Sequence, residues 1–283
     1  MKLTNHDKAE VLLQALPYIT KYAGETIVIK YGGSAMTDES LKKSVAMDIA
    51  LLQSIGVRTV VVHGGGPEIN ETLKSMGIPT KFSGGLRVTD AATMKVVQMV
   101  LAGKINKDLV ALLGGAGAEA VGLSGVDGGM IKAKPLGKDM GFVGDVESVN
   151  VKPVTDLLNA GYIPVIAPVG IGEGGEVYNI NADTAAARVA GALKAKSFLN
   201  MTDEPGILED PSDPASLIRS VSASEAKELI SDGIVTGGML PKVNCCIDAI
   251  RRGVDKVFII DGREPHSLLI EMLSDEGIGT MFY

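Results

Sequence analysis

The chain has little cysteine, little histidine and no long apolar run, and each scarcity removes a class of function. Its two cysteines among 283 residues, Cys245 and Cys246, are neighbours in a helix-period segment. Adjacent thiols make neither a disulfide framework nor a zinc-ligand spacing, so both are expected to be buried and structural. The three histidines, His6, His63 and His266, are too scattered for a metal site, and no serine, histidine and carboxylate set has triad spacing. Apolar runs such as Ile27-Val28-Ile29 and Val60-Val61-Val62 are far too short to span a bilayer. Residues 1–10 are polar and lack the apolar stretch of a signal peptide, so a cytoplasmic protein with no membrane partner is expected. A net charge of −7 argues against a general nucleic-acid surface. Low-complexity tracts and a convincing internal repeat are also missing.

What is present describes an ordinary globule: 46% hydrophobic and 22% charged residues, long enough for one large domain or two lobes. Apolar runs bounded by glycine alternate with helix-period segments, the pattern of an α/β fold with a largely parallel sheet. Residues 26–30 and 59–62 read as buried strands, each opening into a Gly-rich turn, with a helix over 38–54 between them. Further strands are expected at 163–167, 197–201 and 256–260, and helices at 183–193, 224–232 and 242–252. Residues 80–89 and 130–149 read as hairpins able to cover a substrate. Residues 4–22 form an amphipathic helix interrupted or kinked near Pro17.

Two elements carry the chemistry, Lys30-Tyr31-Gly32-Gly33 and Gly237-Gly238-Met239-Leu240-Pro241-Lys242. Each sets a fixed positive charge beside backbone N–H groups unobstructed by a Cβ, which suits a phosphate-bearing ligand. Two such cradles on distant segments point to phosphoryl transfer. Val62-His63-Gly64-Gly65-Gly66 follows a strand and precedes a helix near Pro67, where free N–H groups attract anions. It is not an esterase oxyanion hole, since the chain lacks a Gly-x-Ser-x-Gly elbow; it lacks a Walker A pattern too. Gly115-Ala116-Gly117-Ala118-Glu119-Ala120 leads from helix to strand, the reverse of a dinucleotide site, and is expected to be a turn. In Asn179-Ile180-Asn181-Ala182-Asp183, Asn181 or Asp183 is either a helix N-cap or part of a ligand grip. Arg87 is either a surface charge or a fork for a carboxylate. Asp203 either touches a nucleotide or starts a turn.

In this order, and with Leu86-Arg87-Val88-Thr89 between them, the motifs resemble the amino-acid kinase family from about residue 26 to 281, in the branch whose acceptor is N-acetyl-L-glutamate. The resemblance implies a three-layer α/β/α open sandwich with a largely parallel central sheet and two lobes. The expected division is an N-terminal interlacing helix (1–22), an acetylglutamate-binding and dimerisation lobe (23–195) and an ATP-binding lobe (196–283). It makes Lys30 and Lys242 the transition-state stabilisers, organised by Asp183. Gly65, Gly66, Arg87 and Asn179 would bind acetylglutamate, with Arg87 on its α-carboxylate. Gly32 and Gly33 would offer N–H groups to the transferring phosphoryl, and Asp203, Gly237 and Gly238 would border the nucleotide. ATP is the implied donor; Mg²⁺ would ride on its phosphates with no direct protein ligand.

The first helix and the stretch from Glu271 to Met281 look like those of the arginine-inhibited branch, in which such helices interlace dimers into a hexamer, a trimer of dimers. Tyr18, His266, Glu271 and Gly277 are the corresponding arginine-site candidates; the alternative is a packed helix and a terminal strand. Whether a nitrogen-signalling regulator docks on such a ring stays open. Two positions depart from the branch: Ser197 stands where many relatives have Lys, bearing on arginine sensitivity, and Asn200 replaces an aliphatic residue. Asn200 is expected to weaken strand packing or alter the adenine pocket. The rival readings are a sister kinase acting on carbamate, aspartate, glutamate or UMP, and an arginine-sensing protein without turnover.

Overall fold

The computed structural model describes residues 4–283, so the first three residues of the expected segment 1–22 lie outside the described residues. Helix α1 (Asn5–Tyr22) starts at a reciprocal capping box: the Thr4 hydroxyl accepts from the Asp7 N–H, and the Asp7 carboxylate accepts from the Thr4 N–H. The helix runs through Pro17 as one element. Strand β1 (Thr26–Tyr31), helix α2 (Glu39–Ser54) and strand β2 (Arg58–His63) then form the strand, helix and strand read from the sequence. Helix α3 (Gly66–Ser75) leads to the hairpin of β3 (Lys81–Ser83) and β4 (Leu86–Val88). Helix α4 (Ala91–Gln98) passes through a π-helical stretch (Met99–Ile105) into α5 (Asn106–Gly115).

The middle of the chain supplies β5 (Ala120–Ser124), β6 (Ile131–Pro135), β7 (Val143–Val149), α6 (Lys152–Asn159), β8 (Ile163–Ala167), β9 (Val169–Ile171), β10 (Val177–Ile180) and α7 (Ala182–Leu193). The remainder holds β11 (Ser197–Thr202), β12 (Ser220–Val221), α8 (Glu225–Ser231), α9 (Met239–Arg251), β13 (Lys256–Asp261), α10 (Ser267–Leu273) and β14 (Thr280–Phe282).

Eight strands form one sheet in the order β12-β14-β13-β11-β1-β2-β8-β5. The six strands from β13 to β5 are mutually parallel, and β14 runs antiparallel to β13. Alternate residues of each central strand feed opposite cores, which is why these strands are apolar throughout rather than alternating. Ile27, Ile29, Val61, Leu199 and Phe258 pack under α2, α5 and α10. Val28, Val60, Phe198 and Val257 pack under α6, α7 and α9 on the other face. Helices on both faces of a mostly parallel sheet are the three-layer α/β/α arrangement, and the sheet continues without a break across the boundary expected at 195/196.

The expected hairpins exist, with additions. Gly84 and Gly85 both take positive φ, 56° and 79°, which a two-residue turn with right-handed strand twist requires, and they pair Phe82 with Arg87. Strands β6 and β7 pair antiparallel, and with β9 and β10 they close into a small four-stranded barrel. The sequence did not disclose β9 and β10, because three- and four-residue strands carry too little periodicity. Cys246 is buried, as expected, while Cys245 is only partly so; burial pushes the Cys245 thiol up to about 11, which disfavours its thiolate. Among the described residues no helix is long and apolar enough to cross a membrane.

Candidate active site

Strands β1, β2 and β11 are adjacent and parallel, so Lys30, His63 and Thr202 all reach the carboxyl edge of the sheet together. That edge is where open α/β sheets bind ligands. The first turns of α3, α7 and α9 follow segments that meet there, and their free N–H groups favour negative charge.

Asp183, in the first turn of α7, stands between two lysines drawn from distant parts of the chain. Its Oδ1 lies 3.0 Å from Lys30 Nζ and its Oδ2 3.1 Å from Lys242 Nζ. The Lys242 contact is an aligned hydrogen bond; the Lys30 contact is an ion pair by distance, with Oδ1 accepting no well-directed bond. Burial is the largest influence on Asp183 and works against its charge. The two ammonium groups outweigh it and hold the carboxyl below the usual carboxylate range. Lys30, only 6% exposed, also donates to the Met201 carbonyl at 3.2 Å. Two ammonium groups against one carboxylate leave one positive charge in excess, in a place where water screens it little. The N-cap alternative resolves cleanly, since Asn181 caps α7 by accepting from the Thr184 N–H and frees Asp183 for the lysines.

A cavity of about 410 Å³ opens on one side of this array. Its walls include Gly32, Gly33, Gly65, Gly66, Arg87, Asn179 and Asp183. Arg87 is 8% exposed; its Nη2 makes one long contact of 3.4 Å to the Gly66 carbonyl, and its Nη1 has no partner. Burial alone pulls its pKa below the ordinary guanidinium value. The Phe82 ring lies 4.8 Å from Arg87 Cζ, a cation–π contact that explains why an aromatic side chain stays 57% exposed on a hairpin. A buried guanidinium with a free edge is a receptor for a carboxylate.

A second cavity of about 430 Å³ shares Lys30, Gly33 and Asp203 with the first and adds Glu204, Gly206, Thr236, Gly238, Met239 and Lys242. Asp203 accepts from the Ser34 N–H at 2.6 Å. Gly33, at φ +71°, lets that carboxylate approach, since a Cβ there would sit 2.5 Å from Asp203 Oδ1. Gly237, also proposed from the sequence, has φ +54° but is not among the residues lining either cavity. Asn200 does not line the second cavity; it is fully buried in β11, with neither amide atom hydrogen-bonded.

Tyr18, His266, Glu271 and Gly277 lie apart from both cavities. The Tyr18 hydroxyl donates to Asp275, and Glu271 accepts from the N–H groups of Ile278 and Gly279 at 2.9 and 3.1 Å, beside Gly277. His266 pairs with buried Asp48 of α2 at 2.6 Å. Read from sequence, Phe82 has no role and Thr89 enters only as the last residue of the Leu86-Arg87-Val88-Thr89 motif. Phe82 was within reach, since a two-residue Gly-Gly turn sets it opposite Arg87, whereas the task of Thr89 shows only once Asn179 is brought beside it.

The sequence profile of the amino acid kinase family matches residues 25–261. An acetylglutamate kinase from Heliobacterium modesticaldum is 53% identical, over 97% of this chain and 97% of its own length. One from Gloeobacter violaceus is 53% identical, over 97% of this chain and 92% of its own. Among solved structures, an N-acetylglutamate synthase from Neisseria gonorrhoeae, complexed with coenzyme A and N-acetyl-glutamate, superposes with a TM-score of 0.84 at 28% identity. It covers 97% of this chain, which spans 63% of that longer one. A carbamate kinase from Giardia superposes with a TM-score of 0.69 at 18% identity, over 92% of this chain and 99% of its own, a likeness of fold.

Proposed function

Because this chain belongs to the amino acid kinase family, we propose that it transfers the γ-phosphoryl group of ATP to the γ-carboxylate of N-acetyl-L-glutamate, giving N-acetyl-L-glutamyl 5-phosphate. The observation that carries this reading is the Lys30, Asp183 and Lys242 array standing where the two cavities meet. The near-full-length relatives at 53% identity that act on acetylglutamate support the choice of acceptor.

A carboxylate is already a nucleophile, so no general base is needed. One of its oxygens forms a bond to the γ-phosphorus as the bridging bond to the β-phosphate breaks, and ADP leaves with the electron pair. The barrier lies in bringing an anion to a polyanion, which makes positioning and charge stabilisation the main work of the protein. In this scheme Arg87 and Asn179 hold the acceptor beside Gly65 and Gly66, with the Arg87 fork on the α-carboxylate. Lys30, with the N–H groups of Gly32 and Gly33, meets the migrating phosphoryl from the acceptor side. Lys242 meets it from the nucleotide side, which Asp203, Gly237 and Gly238 border. Asp183 keeps the two ammonium groups apart and aimed. The two sides correspond to an acceptor lobe ending near residue 195 and an ATP lobe beyond it. Mg²⁺ would be carried by the ATP phosphates, with no direct protein ligand. Bound there, it would neutralise part of the phosphate charge.

A coupled assay of ADP release with ATP, Mg²⁺ and acetylglutamate tests the reading, run beside carbamate, aspartate, glutamate and UMP. ADP release that does not depend on acetylglutamate overturns it, and preference for another acceptor assigns a sister activity.

Arginine inhibition of a cytoplasmic hexamer is the regulatory part of the proposal. It is favoured by α1, which exposes Val11, Leu12, Leu13 and Leu16 at 52–69% and touches the 274–279 loop through Tyr18 and Asp275. Such an apolar stripe suits a second copy of the helix. Light scattering on the full chain and on one lacking residues 1–22 is expected to show a hexamer falling to a dimer, with loss of arginine inhibition. A dimer in both cases removes this part.

A further inference from the structure

The acceptor reading leaves one buried hydroxyl without a task. Thr89 is fully buried just beyond β4, and its hydroxyl bonds to the carriers of both acceptor ligands. Its single proton goes to the Arg87 carbonyl, 2.8 Å away. Toward Asn179 the same oxygen can therefore only accept, and the group that reaches it at 3.2 Å is the Asn179 Nδ2.

Both residues are held from the backbone as well. The Thr89 N–H donates to the Met140 carbonyl at 3.1 Å, and its own carbonyl accepts from the Phe142 N–H at 2.6 Å. The Asn179 N–H donates to the Phe142 carbonyl at 2.8 Å, and its main chain is paired with both β7 and β9. With the main chain fixed and one of its two amide N–H groups donated to Thr89, the planar carboxamide is held in one flip, which fixes where its oxygen lies. Asn179 lines the first cavity, and among the described residues no protein donor reaches its Oδ1.

We infer that Thr89 is a positioning residue that fixes the orientation of the Asn179 carboxamide, so that an oxygen acceptor faces the substrate and the site selects an acceptor carrying an N–H at that point. The inference rests on the acetylglutamate reading and deepens it. An N-acyl amino acid supplies the N–H donor. An O-acyl hydroxy acid of the same shape sets an ester oxygen against the Asn179 oxygen, leaving a buried acceptor unmatched, a mismatch that polar sites reject strongly. Without the Thr89 hydroxyl nothing at that position distinguishes the two ends of the amide. Asn179 is then free to turn and offer its NH₂ to the ester.

The experiment compares N-acetyl-L-glutamate with (S)-2-acetoxyglutarate, in which oxygen replaces the amide nitrogen, on the wild type, Thr89→Val, Thr89→Ser and Thr89→Cys. The wild type is expected to prefer the amide by roughly 10²-fold in kcat/KM. Thr89→Val and Thr89→Cys are expected to lose about tenfold or more of that ratio, mainly through KM for the amide and with KM for ATP unchanged, and Thr89→Ser to restore it. A ratio unchanged in Thr89→Val and Thr89→Cys, or lost equally in Thr89→Ser, overturns the inference, because a packing role weakens both ligands alike. Calorimetry gives the same ratio as Kd without turnover. A wild type that transfers no phosphoryl group, with a Kd ratio that falls in Thr89→Val and Thr89→Cys and returns in Thr89→Ser, would reject the kinase reading while upholding Thr89; one that binds neither ligand rejects both.

Discussion

The two cavities on either side of Lys30 treat their polar groups in opposite ways. Among the described residues, the first leaves Arg87 Nη1 unpaired and Asn179 Oδ1 without a protein donor, both residues being on strands. In the second, Lys242 is already engaged with Asp183, and Asp203, which the two cavities share, with the Ser34 N–H. On the proposed function, acceptor recognition is built into the scaffold, whereas a phosphate on the other side would compete with contacts the protein makes to itself. Preorganised dipoles favour affinity and specificity; charges that change partner during transfer favour the transition state.

Lys242→Ala should mark this division most strongly. We expect kcat to fall by roughly 10²- to 10³-fold, the scale seen when one major electrostatic stabiliser is lost, with KM for acetylglutamate changed far less. Steady-state kinetics with each substrate varied in turn checks it. A large rise in KM for acetylglutamate with kcat retained would erase the contrast between the two sides.

Strand β2, which leads into the Gly64–Gly66 wall of the first cavity, should also carry a pH-dependent share of stability. His63 ends β2 fully buried, with Nδ1 on the Gly64 carbonyl at 2.8 Å and Nε2 facing Asn106 Nδ2 at 3.3 Å. Burial pushes its pKa down to about 4, against a weaker upward pull from Gly64. The folded pKa lies below the ordinary value near 6.5, so the unfolded chain binds the proton better. The stability from neutral His63 is complete above about pH 6.5 and is lost as pH falls toward 4, by about 3 kcal/mol in all. Asp48, pushed up to about 6 mainly by burial, works the other way over part of this range. Taking the difference between wild type and His63→Gln cancels that contribution. Urea unfolding at several pH values should show the wild-type advantage shrinking as acid is added; a constant difference between pH 7 and 4 contradicts it.

Arg87→Lys sharpens the acceptor side itself. A lysine keeps the charge but not the planar fork, and it loses the contact with Phe82. We expect KM for acetylglutamate to rise about 30-fold, with kcat within a few-fold and KM for ATP unchanged. An equal rise in both KM values would place Arg87 outside acceptor recognition.

The sequence disclosed the elements whose signal is local. Lys30 interrupts an apolar strand at its carboxyl end, where only solvent or an anion makes a charge tolerable, and it lies there at the mouth of both cavities. A lysine at the start of α9 is ill-placed against the helix dipole; Asp183 relieves it, from 59 residues away in the chain. That pairing could not be read from either segment alone, since it depends on α7 and α9 packing side by side on one face of the sheet. The barrel of β6, β7, β9 and β10 was half legible for a related reason: its hairpin is local, its closure is not. Thr89 escaped because a threonine after a strand is ordinary until Asn179 is brought to it from 90 residues on.

The smallest expected effect tests the same contrast from beneath the nucleotide side. Asn200 lies in β11 with Lys30 across on β1 and Ile259 across on β13, fully buried and with neither amide atom bonded. An unmet carboxamide in that position costs stability without lining the second cavity. Asn200→Val removes both unmet groups and places a β-branched residue in a central strand. It should raise the unfolding free energy by about 1–2 kcal/mol at an unchanged urea m-value. Because nothing in the nucleotide cavity is altered, kcat and KM for ATP should stay within twofold. A gain in stability accompanied by lost turnover would mean that this amide takes part in holding Lys30, and the self-engaged side of the cleft would then extend one layer deeper into the sheet.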